Sequence, residues 1–176
     1  MVGIGKQILP KPIKSSATDP IRTQFDIFLS LISVTTIVFV DRLTKIYFSN
    51  ALTPGESWPV IKNILHMTLV YNTGIAFGLF KNQGVVFIII PIIAIILLIF
   101  NIYYYRNNKE DLSRIYIIAF SLILGGAIGN LIDRMYFGYV IDFIDFRVWP
   151  VFNIADSAIT IGSAIILLKC IPSSTK

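Results

Sequence analysis

Gly125 to Thr160 reads GGAIGNLIDRMYFGYVIDFIDFRVWPVFNIADSAIT, and this stretch decides how the rest of the chain is understood. It sets Asp133, Asp142, Asp145 and Asp156, with Arg134, Arg147, Asn130 and Asn153, among segments apolar enough to enter a bilayer. Ionisable groups are expensive at membrane depth and mark function there. Two carboxylates held together at a membrane surface can divide acid and base work. One, deprotonated, takes a proton from water, while the other, protonated, hydrogen-bonds the carbonyl under attack.

Working outward, the composition agrees with a membrane protein. The chain is 55% hydrophobic and 14% charged over 176 residues, with mean hydropathy +0.75, too apolar for a water-soluble globule. A single cysteine, Cys170, excludes an internal disulfide framework and any cysteine-clustered metal site. His66 is the one histidine, so a zinc site needing two histidines a helical turn apart is excluded, and no metal or other cofactor is expected. The net charge of +5 is spread along the chain as a topology signal, so no nucleic acid is expected as a partner.

Four apolar spans are expected at about 25–48, 85–105, 115–132 and 151–171. A polar, basic tail occupies 1–24, with no cleavable signal pattern, and a short C-terminal tail occupies 172–176. Pro91 inside the second span is tolerable where neighbouring helices take up the freed carbonyl. Between the first two spans, Pro54, Gly55, Trp58 and Pro59 precede β-leaning runs from Ile64 to Tyr71. This predicts a small β-rich cradle lying on the membrane, with Trp58 and Tyr71 at the interface. His66 reads as structural or surface. The fold class is therefore an all-α integral membrane protein, four helices with that cradle between helices 1 and 2.

Placing both termini and the Arg106 to Arg114 loop inside collects nine of the 15 lysines and arginines. Asp41, Asn72, Asn130, Asp133, Arg134, Asp142, Asn153 and Asp156 then all fall toward the outer face. Asp41 and Lys45 stand four apart, in the order that favours an ion pair on one helical face; the pair either closes the helix at the interface, with Lys45 snorkelling, or has a role in the site. Gly125, Gly126 and Gly129 permit close helix approach. The residues alone leave Asp133 and Asp142 equally placed as the partner of Asp156, with Asp145 a further competitor and Arg134 positioned to neutralise Asp133.

DRLTK (Asp41 to Lys45), NTGIAFG (Asn72 to Gly78), GGAIGNLIDR (Gly125 to Arg134), VIDF (Val140 to Phe143) and FNIADS (Phe152 to Ser157) resemble, in order and spacing, the motifs of lipoprotein signal peptidase, also called signal peptidase II. The resemblance covers about Phe25 to Ile171. It implies a bacterial aspartic endopeptidase of the inner membrane, with both termini cytoplasmic and its site near the periplasmic face. Such an enzyme cleaves diacylglyceryl-modified prolipoproteins just before the lipidated cysteine. Matched motif to motif, the resemblance puts the catalytic pair on Asp142 and Asp156. It makes Asp41, Lys45, Asn72, Gly126, Asn130, Arg134 and Asn153 the supporting residues. It further implies membrane lipids as surroundings, sensitivity to globomycin-like inhibitors, and a monomer.

Other chemistries lack parts. There is no GxSxG and no GxGD, and the carboxylates lie toward one face with no inverted repeat, against a through-path for ions. Helix position makes Asp156 the base, near a helix N-terminus, and the apolar neighbours Ile141 and Phe143 make Asp142 the acid.

Overall fold

The computed structural model describes residues 20–74 and 114–170, together with helical positions scattered between 89 and 100. Most of the expected 85–105 span and 106–114 loop, residues 1–19 of the tail, and the tail 172–176 lie outside the described residues.

Helix α1 runs Pro20–Ala51, 32 residues. It begins within the expected tail because proline suits the first turn of a helix, where its missing N–H is no loss. Along its length Phe28, Leu31, Phe39, Leu43, Ile46 and Tyr47 are exposed. In water such a surface would be unstable; against lipid it is the expected one. Helix α2, Arg114–Phe137, buries Ala119, Ser121, Gly125, Gly126, Gly129, Asn130 and Asp133 along one stripe. Helix α3, Ile154–Cys170, packs closely on it. A Cβ at Gly162 of α3 would lie 2.6 Å from the Ala119 carbonyl oxygen, and one at Gly125 would lie 2.9 Å from Ile37 Cβ. The glycines thus set the separations among the three helices. Among the described residues, α1 and α2 are the helices long and apolar enough to cross a membrane.

The sheet has three strands, β1 (Ser57–Ile61), β2 (Leu65–Asn72) and β3 (Val140–Asp145), in the order β1-β2-β3. Both pairings are antiparallel. The hairpin turn between β1 and β2 holds Asn63 at φ 65°, a conformation asparagine tolerates. The cradle is therefore not formed only between the first two spans, as the sequence suggests. Its third strand arrives from between α2 and α3, pairing Tyr71 with Ile141 and Asn72 with Val140. An antiparallel partner can be supplied from any distance along the chain, and β2 needs one on each side to satisfy its backbone groups.

Leu52, Leu69 and Ile141 form a small apolar core beneath the sheet, with Phe48, Met67 and Tyr139 packed around it. Phe48 of α1 stacks on Phe143 at 4.5 Å between ring centroids. This seats the sheet on the C-terminal end of α1. Below that seat the largest fully buried side chains include Lys45, Asn153, Asp41, Asp133 and Asp142. The centre of the molecule is polar, and each of these five side chains has a partner.

Candidate active site

The N-terminus of α3 explains the first carboxylate. Asn153 is its cap: Asn153 Oδ1 accepts the Asp156 N–H at 2.9 Å, and Asp156 Oδ2 accepts the Asn153 N–H at 3.3 Å. This is a reciprocal capping box, written in the sequence as Asn-Ile-Ala-Asp. It starts the helix at Ile154, three residues later than the apolar pattern suggests. The box leaves Asp156 Oδ1 available, and Asn130 Nδ2 of α2 donates to it at 2.7 Å.

The second carboxylate, Asp142, lies mid-strand in β3 and is 1% exposed. Asn153 Nδ2 donates to its Oδ1 at 2.7 Å and Asn72 Nδ2 of β2 to its Oδ2 at 2.9 Å. Burial foremost, and then the charge of Asp156, push the Asp142 carboxyl up to about 7, against the opposing pull of the two amide donors. Asn153 and Asn130 join the two aspartates, because Asn153 Nδ2 also reaches Asn130 Oδ1 at 3.1 Å. The result is a continuous bridge, Asp142 to Asn153 to Asn130 to Asp156, drawn from three separate elements.

Beneath this bridge sits Lys45, fully buried and therefore not snorkelling. Its Nζ is 2.8 Å from Asp41 Oδ2, 2.8 Å from Asp133 Oδ2 and 3.1 Å from Asn130 Oδ1. The i,i+4 pair expected from DRLTK is present, and it has a third member in Asp133. Both carboxylates hold backbone as well. Asp41 Oδ1 accepts the N–H of Ala155, the residue before Asp156, at 2.9 Å. Asp133 Oδ2 accepts the N–H of Ile141, the residue before Asp142, at 3.1 Å. One lysine thus ties together two carboxylates, each fastening the chain one residue ahead of a site aspartate.

Asp133, read from sequence as a rival to Asp142 beside a neutralising Arg134, is engaged instead in this frame. Its Oδ1 also meets Arg42 Nη2 at 2.6 Å. The sequence signal for Arg42 was its position three before Lys45, on the same face of α1. Arg134 feels the charges of Asp156, Asp142 and Asp133. A Cβ at Gly126 would overlap the Ala155 carbonyl oxygen, and one at Gly129 would lie 2.7 Å from Asp41 Oδ2. These two glycines leave room for α3 and for the Asp41 carboxylate.

Asp145 lies at the end of β3 in a different setting. Burial pushes it up, but the Thr68 hydroxyl, the Arg147 amide and the Arg147 charge outweigh that and hold its carboxyl below the usual range. His66 is nearly buried beside it, with Nδ1 3.2 Å from Ser57 Oγ. No group of three or more His, Cys, Asp or Glu arranged to hold a metal ion occurs among the described residues.

Comparison with known proteins places this geometry in a family. The sequence model described as Signal peptidase (SPase) II matches residues 33–172. Lipoprotein signal peptidase of Halothermothrix orenii is 42% identical over 137 residues, covering 78% of this chain and 91% of that protein. Lipoprotein signal peptidase of Caldanaerobacter subterraneus subsp. tengcongensis is 43% identical over 139 residues, covering 78% and 92%. A solved bacterial membrane enzyme, determined by the in meso method at 2.3 Å resolution, superimposes with TM-score 0.72 at 34% identity, over 85% of this chain and 94% of that one. With the site on three helices and a small antiparallel sheet, two of those helices long and apolar enough to cross a membrane, and with relatives this close over most of its length, the chain belongs to the signal peptidase II family.

Proposed function

We propose that this chain is an aspartic endopeptidase of the bacterial cytoplasmic membrane. It removes signal peptides from diacylglyceryl-modified prolipoproteins, cutting just before the lipidated cysteine. The observation that carries this reading is the amide bridge joining Asp142 and Asp156. It brings two carboxylates into one hydrogen-bonded unit and gives them unequal surroundings, as acid and base work requires.

Asp156 is the base. It receives N–H donors from Asn130 and from the capping box at a helix N-terminus, surroundings that suit a carboxylate. Asp142 is the acid, protonated near neutrality. Asp156 takes a proton from water as its oxygen attacks the scissile carbonyl carbon. The Asp142 hydroxyl hydrogen-bonds the carbonyl oxygen and stabilises the charge that develops there. Collapse of the tetrahedral species breaks the C–N bond, and the proton held by Asp156 passes to the leaving amine. Asp41, Lys45, Asn72, Gly126, Asn130, Arg134 and Asn153 hold this arrangement, and the chemistry needs no metal.

In the membrane we place α1, the span over 85–105, α2 and α3 as four crossings, with both termini cytoplasmic and the dyad near the outer face. The aspartates and their supports come from one chain, which suits a monomer, and globomycin-like peptides are the expected inhibitors.

The test is cleavage by the purified protein in detergent of one prolipoprotein with and without its diacylglyceryl group. Cleavage of the lipidated form alone is expected. Equal cleavage of both, or of neither by folded protein, would count against the reading.

The pH profile tests the assignment of roles. Asp142 acts protonated, and its raised pKa keeps it so below about 7, so kcat/KM falls as pH rises through that value. The limb belongs to the coupled dyad. Asn72 donates to Asp142 and lowers its pKa, so Asn72→Ala should move the alkaline limb to higher pH. A limb that stays in place, or moves down, would reverse the assignment.

A further inference from the structure

Past Asp145, strand β3 runs into Phe146, Arg147, Val148 and Trp149, a turn of one cation and three large apolar side chains, all exposed. Arg147 takes φ 66°, uncommon for a residue with a Cβ. Its N–H donates to Asp145 Oδ1 at 2.7 Å, and its guanidinium folds back over the sheet. There Nη2 donates to His66 Nδ1 at 2.9 Å and to Ser57 Oγ at 3.4 Å, while Nη1 lies 3.4 Å from Asp145 Oδ2. Accepting at Nδ1, a neutral His66 carries its proton on Nε2. Thr68 Oγ1 completes the cluster with a 2.7 Å bond to Asp145 Oδ2. The Val148 N–H donates to the Phe146 carbonyl at 2.8 Å and closes the turn.

The Arg147 guanidinium is tied to the sheet while its side chain stays 45% exposed, and the turn presents apolar groups outward beside it. Val148 is 91% exposed, Trp149 63% and Phe146 41%. The neighbouring hairpin continues this surface, since Trp58, Val60, Ile61 and Ile64 are exposed as well. A turn facing water would be expected to carry polar residues at such positions. An exposed apolar patch of this kind marks a contact surface, and tryptophan collects where bilayer meets water.

The height of the turn fits that layer. The 17 residues of α3 rise about 26 Å, short of the roughly 30 Å hydrocarbon core. In that crossing the residues just before α3 lie near one boundary of the core. Phe152 bridges to Ile144 and keeps the turn beside the sheet, and the exposed apolar face of α1 runs up to Ile46 and Tyr47, beside the seat of that sheet on Phe48.

Resting on the reading of α3 as a membrane crossing, we propose that the 146–149 turn is a lipid-seated wedge. It inserts Phe146, Val148 and Trp149 into the headgroup–acyl boundary of the leaflet on which the dyad opens. The Asp145, Ser57, His66 and Arg147 cluster clamps the wedge to the sheet. The occupant is phospholipid.

The chain has two tryptophans, so Trp58→Phe leaves Trp149 as the sole indole. The full chain carrying that change is placed in phosphatidylcholine–phosphatidylglycerol vesicles with acyl chains brominated near the headgroup or near the methyl end. Trp149 emission should be quenched by the shallow bromines more than by the deep ones. Adding Val148→Asp should remove most of that quenching while leaving cleavage in detergent unchanged, since Val148 touches little protein. Emission unquenched at either depth overturns the proposal, whether the indole proves open to aqueous iodide or covered by protein. Quenching is read without substrate, so a failure of the peptidase reading would appear as absent cleavage with the quenching intact.

Discussion

Replacing Asp142 or Asp156 with asparagine should each lower prolipoprotein cleavage by roughly a thousandfold, because each removes one half of a proton-transfer pair. At position 156 the amide has no basicity to draw the proton from water. At position 142 it can still offer an N–H, but it cannot cycle a proton, and it points that group at a neighbour which also donates. Both Asp142 oxygens accept from amide nitrogens, Oδ1 from Asn153 and Oδ2 from Asn72, so one of these contacts must become donor against donor. An unsatisfied buried donor costs about 1–3 kcal/mol. That is enough to lower the unfolding temperature and too little to unfold the protein. Cleavage should be measured beside thermal unfolding and binding of a globomycin-like peptide, with Asp145→Asn as the comparison. Asp145 is occupied by Thr68 and Arg147 away from the bridge, and its loss should leave cleavage near the parent rate. If Asp145→Asn is as damaging as the two others, or if either of those retains a large part of the activity while folded, the dyad is elsewhere.

What the sequence made legible follows from how local each signal is. The Asp41 and Lys45 pair needs only helical spacing, and the structure has it at 2.8 Å. The start of α3 was equally local, since Asn153 and Asp156 stand at the spacing of a capping box, yet the apolar run beginning at Val151 pointed earlier. Proline at the head of α1 was another local cue, masked by the polar, basic residues around it. Strand β3 was harder for a physical reason. Asn72 and Asp142 meet across 70 residues of chain, and VIDFID alone cannot state which strand it will join. Asp133 shows the same limit. Beside Arg134 in sequence, it finds Arg42 across 91 residues by the packing of α2 on α1. The preference for Asp142 over Asp133 came from the resemblance of five ordered motifs to a family, which spacing within this chain could not supply.

Lys45→Met should destabilise the protein by about 3–5 kcal/mol, the usual cost of removing one member of a buried charged network. Methionine nearly matches the stem of lysine in volume, so little of this is lost packing. The cost comes from what remains: Asp41 without its cation, Asp133 left to Arg42 alone, and Asn130 Oδ1 with one donor fewer. For a chain of this size that corresponds to a fall of roughly 10 °C in unfolding temperature. The same lysine holds the two carboxylates that fasten Ala155 and Ile141, so the loss also loosens the backbone ahead of both dyad aspartates. Cleavage should therefore fall further than the folded fraction does. Unfolding in detergent of Lys45→Met, Asp41→Asn/Asp133→Asn and the triple variant separates the terms. If the cost is uncompensated charge, the triple variant is more stable than the sum of its parts, because the stranded carboxylates are gone. If the three changes simply add, or if Lys45→Met unfolds within a degree or so of the parent, Lys45 is not the junction of the frame, and the dyad must be held by its asparagines alone.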